Sequence, residues 1–395
     1  MPSNMGRRAD MLPSITSQWT VEGKSGFDSL KPNEKASIPE LGDTECLVHF
    51  HYASLNYRDL IITKGKYLFG SKIGVVPVSD GAGTVEAVGS RVTRFKPGDK
   101  VLTLINQGHL SGAPTPSIVE NGGVGGKVDG VLRQYGAFNE QGLVAMPSSL
   151  DFKQASTLPV AALTAWNSLY GLESRALKPG DTVLTQGTGG VSLFALQFAK
   201  AAGARVIATT SSDSKAEILR NLGADHAINY KEDPNWGETA RSLTPDNLGV
   251  HHILEIGGPN TLSQSFKAIK MDGVISIIGF MGGYSKNQPS FVECLSHICT
   301  TRGVLAGSRQ QFEEMNAAID ASGIKPVVDE KVFAFEDVRE AYQYMWEQKH
   351  FGKVTIQVDS LPESHPFSDS GVVRSETLWR NMSNGHDPSD PVAGC

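Results

Sequence analysis

A glycine-rich turn, Gly187–Gly190, carries the residue types and spacing in this chain that most directly indicate chemistry. It follows an apolar, β-branched run that starts at Val183, and it opens an apolar helical segment. Gly187 permits a tight turn, and Gly189 lets the backbone approach a ligand without a Cβ in the way. The helix that follows offers unpaired N–H groups and the positive end of its dipole to an anion. With Ser192 at the third small position, the run predicts a loop that holds a dinucleotide pyrophosphate, although such a turn taken alone could be an ordinary loop.

The next strand, Arg205–Thr210, completes a βαβ unit of about 30 residues and indicates which dinucleotide is bound. NAD sites place a carboxylate about 20 residues past the first glycine, where it binds the ribose 2′-hydroxyl. Here the strand is followed by Ser211, Ser212 and Lys215. A 2′-phosphate requires such donors and a cation, so the pattern favours NADPH over NADH. Asp213 argues the other way, and Ser212 or Asp213 could cap the following helix whichever cofactor is bound.

Two kinds of lobe are needed to position these residues. Short alternating runs separated by Gly and Pro fill residues 19–158 and predict a β-rich lobe. Strands and amphipathic helices alternate over residues 159–321 and predict a doubly wound parallel sheet in an α/β protein. We therefore divide the chain into 1–158, 159–321, a return to the first lobe at 322–360, and a tail at 361–395. The Ser, Pro, Asp and Asn content of the tail is typical of a disordered or loosely docked segment.

Composition excludes several classes of function. A chain of 395 residues is too long for one compact core and suits two lobes. A net charge of −6 offers no basic field for nucleic acid or a membrane surface, and no apolar run reaches the roughly 20 residues that span a bilayer. The N-terminus lacks the apolar stretch of a secretory signal, and the four cysteines form no CxxC pair. We expect a cytoplasmic protein with free thiols and with no nucleic-acid or membrane partner.

Further runs resemble the medium-chain dehydrogenase/reductase superfamily and stand in that family's order and spacing. They are LNYRDL at 55–60, PVSDGAGTVEAVG at 77–89, FKPGDKV at 95–101, LTAW at 163–166, LGAD at 222–225 and HFGK at 350–353. The sequence is most similar to the zinc-type alcohol dehydrogenase-like and quinone oxidoreductase-like branch. The resemblance implies a GroES-like catalytic domain, a Rossmann NADP-binding domain and a homodimer that extends the Rossmann sheet. The apolar run at 273–280 suits such a dimer edge or, alternatively, a central strand.

The resemblance also raises the question of zinc. Zinc alcohol dehydrogenases of this superfamily bind the catalytic ion through a Cys near the LNYRDL run and a His in a Gly-His-Glu run. Here the first place holds Asn56 and Tyr57 and the second holds Ser79 and Asp80, and none of these is a soft or imidazole ligand. The cysteines of a structural zinc lobe are absent from residues 104–130. We expect no zinc. The lone histidines, which are more typical of surface or core positions, are His51 and His109.

Without a metal, the carbonyl of a hydride acceptor must be polarised by hydrogen-bond donors, and a conjugated enone or quinone suits such a site. By resemblance to quinone oxidoreductases, Asn56 lies by the nicotinamide and Tyr67 faces the substrate, where it can also pass a proton. Tyr57 is the reserve candidate, and both tyrosines could instead be packing aromatics. Arg58 and Asp59 suit a structural ion pair rather than catalysis.

The cofactor candidates combine the glycine turn, the strand ends and the family analogy. Thr164 is assigned to the nicotinamide end, Gly257 and the 278–280 run to the cleft, and Lys353 by analogy alone. Ser211, Lys215 and Tyr230 are assigned to the 2′-phosphate. The full set is Thr164, Gly187, Thr188, Gly189, Gly190, Val191, Ser192, Ser211, Ser212, Lys215, Tyr230, Gly257, Ile278, Gly279, Phe280 and Lys353.

Three functions compete for this sequence. The favoured one is zinc-independent, NADPH-dependent reduction of an activated C=C bond in an enone, enoyl or quinone substrate that is small and apolar, such as a natural-product intermediate. The alternatives are a carbonyl or alcohol oxidoreductase, and an NADPH-binding protein whose function is redox-neutral. Two segments are expected to shape the substrate pocket, the glycine-rich loop at 108–130 and residues 281–294. The glycines and prolines of the first segment suggest a mobile lid or an opening for a bulky substrate.

Overall fold

The computed structural model describes residues 13–281, 283 and 288–359. These residues form a β-rich lobe and a lobe built on a parallel sheet, so the predicted fold class is confirmed. The tail at residues 361–395, for which the sequence predicts disorder or loose docking, lies outside the described residues.

The first lobe consists of short strands that pair mainly antiparallel, because apolar and polar residues alternate and Gly or Pro interrupts each run. Its first strands are β1 (Ile15–Val21), β2 (Leu30–Ser37), β3 (Glu45–Ser54), β4 (Asp80–Val88), β5 (Lys100–Thr103), β6 (Tyr135–Asn139) and β7 (Leu143–Ala145). The helices that accompany them are Tyr57–Thr63, Pro116–Asn121 and Phe152–Ala155, with 3-10 turns at Phe27–Ser29 and Glu140–Gly142.

The helix Pro116–Asn121 corrects the expectation of a structureless loop over residues 108–130. The Thr115 side chain accepts the backbone N–H of Ile118, and Pro116 occupies the first helical position. Both are ordinary signals of a helix start. The glycines on either side of this short helix obscure them in the sequence.

The second lobe is a six-stranded parallel sheet with helices between its strands. The strands are β8 (Thr182–Gln186), β9 (Arg205–Thr210), β10 (His226–Asn229), β11 (Val250–Glu255), β12 (Ile269–Ile277) and β13 (Thr300–Gly303). The helices are Leu163–Tyr170, Gly190–Ala201, Asp213–Asn221, Trp236–Ser242, Leu262–Ala268, Glu293–Ser296 and Arg309–Ser322, with a π-helical turn at Leu158–Ala162 and 3-10 turns at Glu173–Arg175 and Pro245–Asn247. The strand order β10-β9-β8-β11-β12-β13 reverses direction between β8 and β11, which is where dinucleotides bind in such sheets.

The apolar run at 273–280 belongs mostly to β12, which lies between β11 and β13. It is therefore an interior strand, and of the two interpretations that the sequence leaves open, the dimer-edge one is wrong for this run. Among the described strands, β13 forms that edge of the sheet.

The chain then returns to the first lobe through β14 (Val328–Ala334), the 3-10 turn Phe335–Asp337, the helix Val338–Trp346 and β15 (Lys353–Gln357). β15 pairs antiparallel with β3, with Thr355 opposite Ser54. The completed sheet has the order β14-β15-β3-β4-β5-β7, and β6 pairs with the other end of β3.

One hydrophobic core crosses from lobe to lobe. Leu104 and Val144 from the β-rich lobe belong to the same buried cluster as Leu163, Phe194 and Phe312 from the second lobe. Because this apolar surface is shared, the two lobes stabilise each other and hold the walls of the cleft between them in a defined arrangement.

Candidate active site

The glycine turn has the geometry that the sequence predicts for it. Gly187 has a φ of 76°, which favours glycine, and its N–H donates to the Thr209 carbonyl at 2.8 Å. Gly189 precedes the helix Gly190–Ala201 as its N-cap. A Cβ built on Gly187 or Gly189 would meet no protein atom within 4 Å, so this side of the turn is open. The turn therefore forms a cradle that fits the pyrophosphate of a dinucleotide.

The other residues of the turn face the protein. The Ser192 hydroxyl is buried and donates to the Gln186 carbonyl at 2.6 Å, so this side chain braces the turn from inside. Val191 is half-buried against the shared core. The Thr188 carbonyl accepts the N–H of Gly352 at 3.3 Å, and this contact joins the turn to the β-rich lobe.

Gly190 marks the place where three segments meet. A Cβ at this position would lie 2.6 Å from Lys353 Cδ and 3.0 Å from Ala161 Cβ. Ala161 belongs to the π-helical turn, a distortion that is frequent at functional sites. Thr164 follows this turn and is buried, and its carbonyl accepts the Ser168 hydroxyl. The predicted nicotinamide-end residue thus lies in the first turn of the helix Leu163–Tyr170, which packs beside the cradle.

The predicted 2′-phosphate residues cluster at the end of β9. Ser212 caps the helix Asp213–Asn221 by accepting the Lys215 N–H at 3.4 Å, and its hydroxyl lies 3.2 Å from the Ser214 hydroxyl. The Asp213 carboxylate accepts the side-chain amide of Asn229 at 3.1 Å. Ser211 and the Lys215 side chain are half-exposed, and Tyr230 is exposed. The exposed Asp213 carboxylate therefore already has a hydrogen-bond partner in the chain, Asn229. Ser212 caps a helix, and this role is compatible with either cofactor.

The loops after β11 and β12 form the far wall of the cleft. The Ile278 N–H donates to the Glu255 carbonyl at 3.0 Å, and the Met281 N–H donates to the Ile256 carbonyl at 3.1 Å. A Cβ on Gly258 would lie 2.8 Å from Phe280 Cα, so the two loops are in close contact. The candidates that these contacts bring together are Gly257, Ile278, Gly279 and Phe280.

A buried polar network that sequence reasoning missed organises this wall. Glu255 is fully buried at the end of β11, and its carboxylate accepts the Gly258 N–H at 2.8 Å and the Ser265 and Thr261 hydroxyls. The Gln186 amide donates to the same carboxylate at 2.8 Å, while its oxygen accepts the N–H groups of Ile256 and Gly257. A buried acid at a strand end is a signal in the sequence, but Gln186, the partner that links it to β8, lies 69 residues away.

Lys353 forms the polar centre of the opposite wall. Its buried ammonium donates to the Leu55 carbonyl at 2.6 Å and to Asn56 Oδ1 at 2.7 Å, and it lies 3.4 Å from Asp80 Oδ2. Burial lowers the pKa of Lys353, and Asp80 opposes that shift. Burial likewise raises the pKa of Asp80, and Lys353 opposes that. The Lys353 ammonium therefore contacts Asn56, while the methylene groups of the same side chain lie against Gly190 of the cradle. The preceding residue, Gly352, also contacts the cradle through its N–H.

Asn56 is held in a defined orientation. Its backbone N–H donates to the Asp59 carboxylate at 2.8 Å, and its Oδ1 is occupied by the Lys353 ammonium. The amide lowers the pKa of Asp80, although Nδ2 makes no hydrogen bond of acceptable geometry to any described residue. Since a lysine only donates, Oδ1 must face Lys353, and Nδ2 is the group through which the amide acts on Asp80.

The remaining catalytic candidates separate into two environments. Tyr67 is half-buried, and its oxygen accepts the Arg58 Nε–H at 3.3 Å. Arg58 and Asp59 form the expected ion pair, with 3.3 Å between Nη1 and Oδ1, and burial raises the pKa of Asp59 to about 6. The Tyr57 ring stacks on Trp346 and packs against the core of the β-rich lobe. This placement favours a packing role for Tyr57 and keeps Tyr67 beside Arg58.

Neither lone histidine is part of this cluster. His51 is buried and bonded to the Thr84 hydroxyl at 2.9 Å, and burial lowers its pKa to about 4. His109 is buried and bonded to the Gly112 carbonyl at 2.8 Å. Both are core histidines, as the sequence indicates.

Comparison with known proteins agrees with this geometry. Residues 42–148 match the family model of the alcohol dehydrogenase GroES-like domain, and residues 190–321 match that of zinc-binding dehydrogenases. A zinc-type alcohol dehydrogenase-like protein of Schizosaccharomyces pombe is 46% identical over 338 residues, covering 85% of this chain and 97% of its own length. A chloroplastic NADPH-dependent alkenal/one oxidoreductase of Arabidopsis thaliana is 31% identical, covering 87% and 80%.

Among solved structures, a putative alcohol dehydrogenase from Sinorhizobium meliloti 1021 is similar, with 40% identity and a TM-score of 0.80. The match covers 88% of this chain and 100% of that one. Fold, cradle and relatives together define an oxidoreductase of the class that binds nicotinamide cofactors. The chain belongs to the medium-chain dehydrogenase/reductase superfamily, in its zinc-type alcohol dehydrogenase-like and quinone oxidoreductase-like branch.

The zinc that the family description names does not fit the residues of this chain. In the part of the chain that the structure describes, no three His, Cys, Asp or Glu side chains are arranged to hold a metal. The two places that the resemblance links to zinc ligands, Asn56 and Asp80, converge instead on the Lys353 ammonium. A metal cation would have to displace that charge, and the one carboxylate and one amide oxygen left to it lack the Cys and His ligands of such zinc sites.

In the same part of the chain, no helix is both long and apolar enough to cross a bilayer.

Proposed function

We propose that this protein is a zinc-independent, NADPH-dependent reductase of an activated C=C bond in an enone, enoyl or quinone substrate. The observation that carries the proposal is the buried Lys353 cluster beside the glycine cradle, which holds the acceptor oxygen of Asn56 and leaves its Nδ2 donor without a hydrogen bond of standard geometry. A polarised carbonyl next to the reacting C=C bond would accept such a bond. A buried donor has a large electrostatic effect because little water competes for it.

The glycine turn Gly187–Gly190 would hold NADPH, and the cofactor would supply hydride chemistry at the β-carbon of the substrate. The residues of the chain stabilise the negative charge that then develops on the carbonyl oxygen. Asn56 Nδ2 donates to that oxygen, and Lys353 prevents the carboxamide from turning its acceptor oxygen toward it. Tyr67 holds a proton at its hydroxyl for the α-carbon, and Arg58, 3.3 Å away, would stabilise the phenolate left behind.

The cofactor preference rests on the end of β9. Ser211 and Lys215 follow β9, Tyr230 follows the neighbouring β10, and we assign these three residues to the 2′-phosphate because the Asp213 carboxylate is already bonded to Asn229. Replacing Lys215 with alanine should raise the KM for NADPH about tenfold or more and change the KM for NADH little, because one charge-assisted contact is lost. Lys231→Ala, an exposed lysine just beyond Tyr230, is the matched control. Equal effects of Lys215→Ala on both cofactors would remove Lys215 from the phosphate site.

The reaction type is tested by the loss of NADPH absorbance with a panel of enones, quinones and simple ketones, with and without a chelator. Turnover of enones or quinones that the chelator leaves unchanged supports the proposal. Turnover of ketones alone, abolished by the chelator, would favour the alcohol dehydrogenase activity that the names of two relatives suggest. Tight NADPH binding without oxidation would favour a redox-neutral function.

We also propose that two copies associate through β13, one of the two edge strands of the described Rossmann sheet. Exposed apolar side chains lie just before this strand, at Phe291, Leu295 and Ile298. An unpaired edge flanked by exposed apolar residues suits pairing with a second copy. Light scattering should give twice the chain mass for the wild type and the chain mass for Leu295→Asp. A monomeric wild type would exclude the dimer.

A further inference from the structure

A tight turn just before β13 brings two cysteine side chains together. It follows the short helix Glu293–Ser296. The Ile298 N–H donates to the Leu295 carbonyl at 3.2 Å, and the Cys299 N–H donates to the Cys294 carbonyl at 3.1 Å. These two bonds, one nested inside the other, define a Schellman motif, a turn that commonly places the side chains of its two outer residues in contact. The outer residues here are Cys294 and Cys299.

The turn is held in this geometry by its surroundings. Ile298 has a φ of 47°, a left-handed conformation that β-branched residues rarely adopt, so local preference does not form the turn. The carbonyl of the same residue accepts the Asp272 N–H at 2.6 Å, which ties the turn to β12. Cys294 and Cys299 both pack against the buried cluster that includes Phe266. The fold therefore keeps the two thiols together.

The two thiols, which are free, are not equivalent. Both residues are half-buried, and Cys294 Sγ lies 3.3 Å from Thr301 Oγ1, a hydroxyl that can donate to a thiolate. Burial raises the pKa of the Cys299 thiol to about 11, and the adjacent Cys294 side chain contributes to this shift through its charge and a hydrogen bond. Because the thiolate is the reactive form, Cys294 is the thiol that attacks first, and Cys299 keeps its proton until then.

We propose that Cys294 and Cys299 form a redox site that exchanges with a low-molecular-weight disulfide such as oxidised glutathione. The Cys294 thiolate attacks one sulfur of the glutathione disulfide, which forms a mixed disulfide and releases one glutathione thiolate. The Cys299 thiol then gives its proton to solvent, and its sulfur attacks the Cys294 sulfur. This step closes the intrachain disulfide and releases the second glutathione. The two cysteines together lose two electrons, which reduce the glutathione disulfide to two thiols.

The site is reversible, because reduced glutathione opens the disulfide by the same steps in the opposite direction. The half-buried position of both cysteines suits a small reagent better than a second protein. The disulfide would enclose residues 295–298 in a closed loop, directly before the edge strand β13. This inference goes beyond the proposed reductase function and does not depend on it.

The test equilibrates the full chain with mixtures of oxidised and reduced glutathione, alkylates the remaining thiols after an acid quench, and digests the protein with trypsin. Both cysteines fall in one tryptic peptide, residues 287–302, which contains no other cysteine, so its mass distinguishes two thiols, a glutathione adduct and an internal disulfide. The equilibrium constant for closing the disulfide should be at least about tenfold larger in the folded protein than in urea, because the turn holds the thiols in contact. The fully buried Cys46 is the internal control and should remain a thiol in the folded protein.

Two single variants test the order of the steps. Cys299→Ser keeps the thiol that attacks first and removes the one that closes the ring, so the glutathione adduct on Cys294 should accumulate at least about tenfold above its wild-type level. Cys294→Ser should react with oxidised glutathione at least about tenfold more slowly than Cys299→Ser, because the thiol that remains is mostly protonated. Equal rates for the two variants, or an equilibrium constant no larger in the folded protein than in urea, would overturn the proposal. The measurement needs neither NADPH nor substrate, so its result is separate from that of the reductase assay.

Discussion

Replacing Lys353 with methionine would show how strongly the buried ammonium stabilises the site. The ammonium makes two short hydrogen bonds, to Leu55 O and Asn56 Oδ1, and compensates the fully buried Asp80. Methionine keeps most of the volume but leaves a buried carboxylate without its cation. Removing one partner of a buried ion pair costs about 3–5 kcal/mol, so we expect the free energy of unfolding to fall by roughly that amount.

The double variant Lys353→Met/Asp80→Asn should recover about 2 kcal/mol or more of this loss, because the uncompensated charge is also removed. Urea unfolding of the wild type, the two single variants and the double variant gives the coupling energy. Lys349→Met is the matched control, since Lys349 is exposed and pairs only with Glu347, an arrangement worth less than about 1 kcal/mol. A Lys353→Met variant as stable as the control, or a coupling energy near zero, would refute the argument.

Kinetics of the same variants separate support of the fold from positioning of Asn56. If Lys353 fixes the carboxamide, Lys353→Met should lower kcat about a hundredfold, as expected when a carbonyl-polarising donor is misplaced. The KM for NADPH should change much less. The loss of unfolding free energy should grow as pH rises, because Asp80 without its partner has a folded-state pKa above its unfolded value, and the ionised form is the one destabilised. A kcat that stays at the wild-type value would show that Asn56 does not depend on Lys353.

Three further predictions concern the rest of the site and the sheet. Gly189→Ala should raise the KM for NADPH at least about tenfold, because the added methyl enters only the open side of the cradle. Its free energy of unfolding should stay within about 1 kcal/mol of the wild-type value. Gly190→Ala should instead lower the free energy of unfolding by about 1–3 kcal/mol, because its methyl meets Lys353 and Ala161. Glu255→Gln should destabilise by about 1–3 kcal/mol in urea, because one amide cannot accept from every donor that now surrounds the carboxylate, and a variant as stable as wild type would contradict that role. Burial lowers the pKa of His252 to about 4, so between about pH 6.5 and 4 the unfolded state binds a proton that the folded state does not bind. The free energy of unfolding should therefore decrease as the pH falls through this range, with a slope approaching about 1.4 kcal/mol per pH unit for this group. His252→Gln should flatten the fitted unfolding free energy over that range, and an unchanged slope would assign the proton uptake elsewhere.

The sequence predicts the parts of the site that local chemistry determines. The glycine turn, its following helix and the polar end of β9 each depend on residues within one βαβ unit, and the structure has them where the spacing places them. The fold class follows for the same reason, since each strand and helix carries its own apolar period.

The polar centre of the site cannot be predicted from local sequence patterns. Leu55, Asn56, Asp80 and Lys353 come together from positions almost 300 residues apart, so neither the ammonium on Asn56 nor the charge compensation of Asp80 has a local signal. The Glu255 network depends similarly on Gln186, which lies in another strand. Tyr57 is a residue type that can pass a proton, and only its stacking on Trp346 favours a packing role for it.

The late return of β15 to β3 has a consequence for how the chain is made. When the ribosome has produced residues 13–158, β3 lacks its neighbour β15, which emerges only after the whole Rossmann lobe. The Rossmann sheet is contiguous, from β8 to β13, and can close as soon as its own residues are out. During synthesis the end of β3 at Tyr52, Ala53 and Ser54, which β6 does not cover, is therefore the place where two growing chains could pair wrongly. A chain cut before Lys353 should be prone to aggregation even though its cofactor cradle is already complete.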